Sequence, residues 1–332
     1  MLIKAAAAKR RIAPPLNEQF NGPYPPGRFN FKTGIYVCLN GWQYGASAAI
    51  FYLPVVERKT LKIGHSPDPD DAFMFYGLAK GAVKIRDFEI EHVLADIQTL
   101  NERAFKRELE VTAVSAFAFT QMASDYWIMK TGASMGKNYG PILVARQAIK
   151  PDELKGKKVA IPGVWTTAYL LAQIFLPPFE PAPVDFAKVF ETVKNGKAEA
   201  GVIIHEGQLT YPETGLFKIA DFGPLWFAET GLPLPLGLDV VRKDLGKELA
   251  KEISTGLKRS IEYGFANEPA ALEYALQFGR GIGRDTGRKF VRMYVNDYTL
   301  DMGLLGEKAL NLLFEKAAQK GILKGEPKVE LV

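Results

Sequence analysis

Two stretches of this 332-residue chain resemble each other and limit its possible folds more than any other feature. "GPILVARQAIKPDEL" starts at Gly140 and "PLPLGLDVVRKDLG" at Pro233. Each is an apolar strand, then a basic residue, then a helix start. About ninety residues separate them. A pair of like strands around an insert of that size reads most simply as two crossings between lobes.

The pattern on either side of the crossings is α/β. "LKIGHS" from Leu61 is a strand, "PDPDD" a turn with helix-capping aspartates, and "AFMFYGLAKG" a helix that Gly81 ends. "FEIEHVLA" alternates as a strand, Asp96 caps "IQTLNERAFKR", and "LEVTAVSAFAF" is again a strand. Inside the insert, "KVAIPG" returns as a strand and Thr166-Thr167 start the helix "AYLLAQIFL". Phe186, Val189, Phe190 and Val193 follow helical spacing, and "GKAEAGVIIHEG" is the next strand. Lys247 to Gly321 is helical by pattern. The expected architecture is therefore α/β, two-lobed, of the type II periplasmic-binding-protein kind, with a cleft between the lobes. Residues 61–141 with 237–332 are expected to form one lobe and 142–236 the other.

The first sixty residues differ. "PPLNEQFNGPYPPGRFN" reads as disordered, and Gly34 to Val56 carries no charged residue. Three glycines, Pro54, Asn40, Gln43 and Ser47 make that run a poor spanning helix. The expectation is an extension outside the domain over residues 1–60, with an export signal, an anchor or a start-site artefact as alternatives. No stable membrane insertion is expected.

A net charge of +5 and a pI near 9.0 favour an anionic ligand. The basic residues are scattered and form no stripe with aromatics, so nucleic acid is not an expected partner. Cys38 is the only cysteine, which excludes an intrachain disulfide and multi-cysteine metal sites. The three histidines lack zinc-motif spacing.

Candidate site residues sit where strands feed helices, the places at which α/β folds collect ligands. Ser66 precedes three carboxylates, Asp68, Asp70 and Asp71, whose spacing fits neither a calcium loop nor a phosphatase motif. "PGVWTTAY" offers the Thr166 and Thr167 hydroxyls with free backbone N–H groups, suited to a carboxylate or phosphate, or simply an N-cap. Ser115 ends a strand without a GxSxG elbow, which suits a hydrogen-bonding serine better than a nucleophile. His205 ends the apolar run Val202-Ile203-Ile204 and is either a satisfied polar residue or a general base. If the strand continued, Glu206 would point to the opposite side.

In combination these segments carry more. "SPDPDDAFMFYGL", "DIQTLNERAF", "GPILVAR", "PGVWTTAYLL", "GVIIHEGQLTYPETGL", "TGLPLPLG" and "YVNDYTLDMG", in this order, resemble the 1,4-dihydroxy-6-naphthoate synthases of the futalosine route to menaquinone. The likeness runs from about Leu61 to the end. It implies a cytoplasmic lyase acting on cyclic dehypoxanthinyl futalosine, a small carboxylate, without metal or organic cofactor. By position, His205 matches the family's proposed base, and Ser115, Thr167 and Ala168 match cleft positions that hold a carboxylate-bearing ligand. Departures are Asp68 and Asp70, where many members have cysteine and asparagine, and Trp165, where some have histidine. The competing readings are a non-catalytic solute-binding protein for a small anion and a chorismate dehydratase of the same pathway.

Overall fold

The computed structural model describes residues 59–332 in full. Before them it describes only the backbone of four short strands, Glu18–Gln19, Gly27–Asn30, Ile35–Cys38 and Ala49–Tyr52, which pair in that order as an antiparallel sheet. Apart from those backbones, the expected extension over residues 1–60 and the uncharged run Gly34–Val56 lie outside the described residues.

The chain from Lys59 onward is a unit of its own and builds two sheets. It begins with strands β1 (Thr60–His65), β2 (Glu89–Leu94), β3 (Val111–Ser115), β4 (Tyr126–Ile128) and β5 (Ser134–Gly136). It then crosses and forms β6 (Ile142–Ala145), β7 (Lys158–Ile161), β8 (Glu180–Pro183), β9 (Ala200–Ile203) and β10 (Phe217–Asp221). It returns as β11 (Leu234–Arg242), which lies in the first sheet. The two sheets repeat one plan. Their orders are β2-β1-β3-β11-β4 and β8-β7-β9-β6-β10, with β5 pairing the start of β11. In each, three parallel strands are followed by an antiparallel one, and that strand is the crossing strand.

Burial explains the strand patterns. β3 and β9 are buried along their whole length, as central strands covered on both faces should be. The proline-containing β8 is tolerated because it is an edge. The short, mixed-polarity strands β4, β5, β8 and β10 carry no strong period of their own. They form because a neighbouring strand supplies the hydrogen-bonding partner, nine-residue β11 for β4 and β5, β7 for β8 and β6 for β10.

The aspartates of "PDPDD" do not cap the helix Pro69–Met74, contrary to expectation: Asp68 sits at the N-cap with no side-chain capping bond. Its carboxylate is drawn instead to the Ser66 hydroxyl and the Arg280 guanidinium, while Asp71 accepts the Ser66 N–H. The expected single helix also breaks at Phe75 and resumes as Tyr76–Ala79. Ser260, on the facing helix Lys247–Ala266, causes the break by donating to the Met74 carbonyl and accepting the Leu78 N–H. Asp96 and Thr166 do cap their helices, accepting from the N–H groups of Thr99 and Tyr169.

The helix Lys247–Ala266 buries Ala250, Ile253, Leu257 and Ile261 on one stripe against the first sheet's cluster. A second core is continuous through both halves. It joins Val114, Phe119 and Leu313 to Leu143, Val159 and Leu170 by way of Leu234 and Leu238 at the return crossing. The crossings themselves are tightly fitted: a Cβ on Gly223 would lie 2.0 Å from the Tyr139 carbonyl carbon.

Candidate active site

The parallel strands of both sheets end at one cavity, about 770 Å³ including the part open to solvent. β1 delivers Ser66, β3 delivers Ser115, and the turn after β7 delivers Thr166, Thr167 and Ala168. Ile204 and Gln208 enter from the end of β9, and Leu236 to Asp239 from β11. Five of the six residues singled out in the sequence, Ser66, Ser115, Thr166, Thr167 and Ala168, therefore line one cavity. His205 does not line it, although Ile204 and Gln208 on either side do.

Most of the expected hydroxyls are already occupied. Thr166 donates to the Gly163 carbonyl and caps Tyr169. Thr167 donates to the Leu236 carbonyl at 2.6 Å and accepts the Phe117 N–H, tying the insert to the first sheet. At this helix start the groups left for a ligand are the Thr167 and Ala168 N–H groups, which helix geometry leaves unpaired, with the favourable end of the helix dipole behind them. Ser115 keeps its own hydroxyl hydrogen. Asn101 donates to its oxygen at 3.2 Å and accepts its backbone N–H at 2.9 Å. Fully buried Asn101 also reaches the Trp165 carbonyl, so one amide orients Ser115 and touches the opposite lobe. Neither its helical spacing nor its residue type marked it in the sequence.

His205 is buried, with Phe186 and Phe190 edge-on to its ring. Its Nδ1 accepts the Gly207 N–H at 3.0 Å, so in the neutral ring Nε2 carries the hydrogen. That Nε2 is buried without a partner. Burial lowers the imidazole's proton affinity, and the Glu206 carboxylate partly opposes this. Glu206 does not point away, because β9 stops at Ile203 and the chain turns into the helix Gly207–Thr210. Strand alternation ends there, leaving Glu206 Oε2 3.7 Å from His205 Nδ1. Arg280 binds Glu206 at 2.9 Å and Asp68 at 2.8 Å, and its guanidinium lies over Phe186. One side chain thus bridges the two lobes.

One end of the cavity is acidic. Asp68, Asp70, Asp71 and Asp239 all line it, and no lysine or arginine does. Burial pushes Asp239 up to about 8. Burial, and then the neighbouring carboxylates, also push Asp70 and Asp71 upward. Tyr294, held well above the usual phenol range by burial, donates to Gln208 at 2.8 Å. His65 and His92, far apart in sequence, meet at 3.0 Å beside this end, and burial lowers both. No cluster of metal-ligating side chains occurs among the described residues.

Two lobes of repeated topology, with a ligand-sized cavity where their strands end, define a periplasmic-binding-protein-like fold. The alkanesulfonate-binding protein of Xanthomonas axonopodis pv. citri, bound to MOPS, has this fold. It shares 13% identity with the chain at a TM-score of 0.64, over 82% of the chain and 97% of its own length. A sequence profile described as menaquinone biosynthesis matches residues 61–319, and the chain belongs to that family. Two relatives named 1,4-dihydroxy-6-naphthoate synthase are similar over 270 residues. The Thermus thermophilus protein is 37% identical over 81% of this chain and 98% of its own. The Streptomyces coelicolor protein is 32% identical over 80% and 95%. A crystal structure of an Archaeoglobus fulgidus protein is 42% identical, with a TM-score of 0.76 over 80% of this chain and 98% of that one. No helix among the described residues is long and apolar enough to cross a membrane.

Proposed function

We propose that this enzyme is a cytoplasmic lyase that converts cyclic dehypoxanthinyl futalosine to 1,4-dihydroxy-6-naphthoate. The observation that carries the reading is the similarity along nearly the whole length of relatives bearing that name. The convergence of Ser115, Thr167 and Ala168 on one cavity supports it. The substrate's carboxylate is assigned to the Thr167 and Ala168 N–H groups and the Ser115 hydroxyl. We assign the lobe boundaries to the two crossings, residues 137–141 and the segment leading into Leu234, so that the ligand is held between halves able to close.

The chemistry removes a proton, breaks a carbon–carbon bond to the sugar-derived part and forms an aromatic ring. A general base contributes about 10²–10⁴-fold to such a step. His205 takes that role in the tautomer opposite to the resting one. Its Nδ1–H turns to Glu206, 3.7 Å away, and the Nε2 lone pair is released toward the substrate. The Arg280 bridge and the surrounding phenylalanines exclude water once the cleft is closed.

The test is to incubate the purified protein with cyclic dehypoxanthinyl futalosine and detect the naphthoate by mass spectrometry, with chorismate in parallel. Turnover of chorismate alone, or of neither compound, overturns the assignment. His205→Asn is expected to lower turnover at least about 100-fold while retaining substrate binding. Near-wild-type turnover in that variant removes His205 from the mechanism.

A further inference from the structure

The acidic end of the cavity contains an unsatisfied group. Asp239 is 1% exposed, lines the cavity, and has no hydrogen-bond partner on either carboxyl oxygen. A buried carboxyl with both oxygens unpaired is rare in folded proteins and calls for an explanation. Its position is enforced rather than accidental. β11 is paired through Asp239 with Ala113 of β3, and the carboxyl packs so closely on Gly132 that any Cβ there would lie 2.0 Å from Oδ2. The Asp239 carbonyl accepts the Met129 N–H, which leaves the backbone little freedom to turn the side chain elsewhere.

We propose that Asp239 is a substrate-contacting residue that holds hydroxyl groups at the sugar-derived end of the substrate, which fixes the direction in which the ligand lies. The proposal rests on the function assigned above. With its carboxylate at the Thr167–Ala168 helix start, the ligand places its far end against β11 and the helix Pro69–Met74.

The groups facing that far end decide its chemistry. Asp68, Asp70 and Asp71 come from the start of the first lobe's opening helix, Tyr294 comes from the helix Arg284–Tyr294, and the cation at hand, Arg280, is already paired with Asp68 and Glu206. A second carboxylate there meets Asp70, Asp71 and Asp239, with Arg280 already engaged by two carboxylates. A cationic ligand needs these acids ionised, and burial opposes that. A protonated carboxyl offers one donor and an acceptor, and a hydroxyl offers the same pair in return. Burial of this kind keeps a carboxylic acid neutral and able to donate near neutral pH.

Two variants test the assignment. Asp239→Leu removes both oxygens while filling their space, and Asp239→Asn keeps one donor and one acceptor. Binding is measured by calorimetry in the His205→Asn background, with the substrate and with an analogue whose sugar-derived hydroxyls are replaced by hydrogen. Turnover is measured separately with His205 intact. With Asp239 present the analogue should bind roughly 10- to 100-fold more weakly than the substrate. Asp239→Leu should weaken substrate binding by a similar factor and abolish most of that preference. Asp239→Asn should retain most of the preference, because the amide keeps one donor and one acceptor. An undiminished preference in Asp239→Leu overturns the proposal. So does loss of turnover with unchanged binding in Asp239→Asn, because the residue would then move a proton rather than hold a hydroxyl. If the wild-type protein neither binds nor converts the substrate, the proposed function falls and this assignment falls with it; turnover with an undiminished preference overturns this assignment alone.

Discussion

Asp239→Asn should stabilise the protein, by an amount that depends on pH in a defined way. The carboxyl titrates at about 8 in the folded chain, against 3.8 for an ordinary aspartate. Between those values the unfolded chain has released its proton while the folded chain still holds it. The unfolded state therefore binds fewer protons, and stability falls as pH rises through this window, then levels above about 8. Each pH unit costs about 1.4 kcal/mol, so by pH 7 the upper bound is about 4 kcal/mol. Relaxation and water entry reduce such buried-charge costs, which leaves about 2–4 kcal/mol. An asparagine has nothing to ionise and fills the same space. In a unit of this size the gain corresponds to a rise in Tm of roughly 5–10 °C at pH 7–8. The measurement is thermal unfolding of both proteins from pH 4 to pH 8.5, reading only the difference between them. The difference should be near zero at pH 4 and grow with pH. A difference that is absent at pH 8, or equal at pH 4 and pH 8, refutes the reasoning.

Other perturbations follow from the same contacts. Asn101→Ala removes the amide that holds both the N–H and the oxygen of Ser115. It should cost about 1–3 kcal/mol in denaturant unfolding and raise KM more than it lowers kcat. Arg280→Met leaves the buried Glu206 carboxylate without its cation and removes the bridge between the lobes. It should cost about 1–3 kcal/mol and raise KM severalfold; unchanged stability and KM would show that the bridge is incidental. Gly223→Ala drives a methyl into the Tyr139 backbone at the crossing and should cost about 1–3 kcal/mol or more, read as a lower midpoint in urea.

How much of the site could be read beforehand varied with how local each signal was. Ser115, Thr166 and Thr167 stand where a strand pattern yields to a helix pattern, and that change is written in neighbouring residues. All three line the cavity. In the sequence the hydroxyls of Thr166 and Thr167 suit a ligand or an N-cap equally, and the structure shows both donating to carbonyls. Their partners, the carbonyls of Gly163 and Leu236, include one from a strand 69 residues away. Glu206 faces away only if alternation runs past Ile203, and the strand ends there. Asn101 gave no local signal, since a polar residue in a helix is ordinary until the helix is packed.

The sequence by itself determined the α/β alternation, the pair of crossing strands, two of the helix caps and the residue types that converge at strand ends. These depend on periodicity and capping, which act over a few residues. Only the tertiary structure decided which acids are stripped of water, which histidine tautomer is present, and which charges meet. The Arg280–Glu206 bridge spans 74 residues and the Tyr294–Gln208 bond spans 86. Asp239 reads in sequence as one polar residue in an apolar strand. Its significance comes from burial, from a glycine that leaves it room, and from the absence of any partner, all properties of the packed chain. Local patterns set the backbone, while proton affinity and partnership depend on desolvation and distance, which only packing sets.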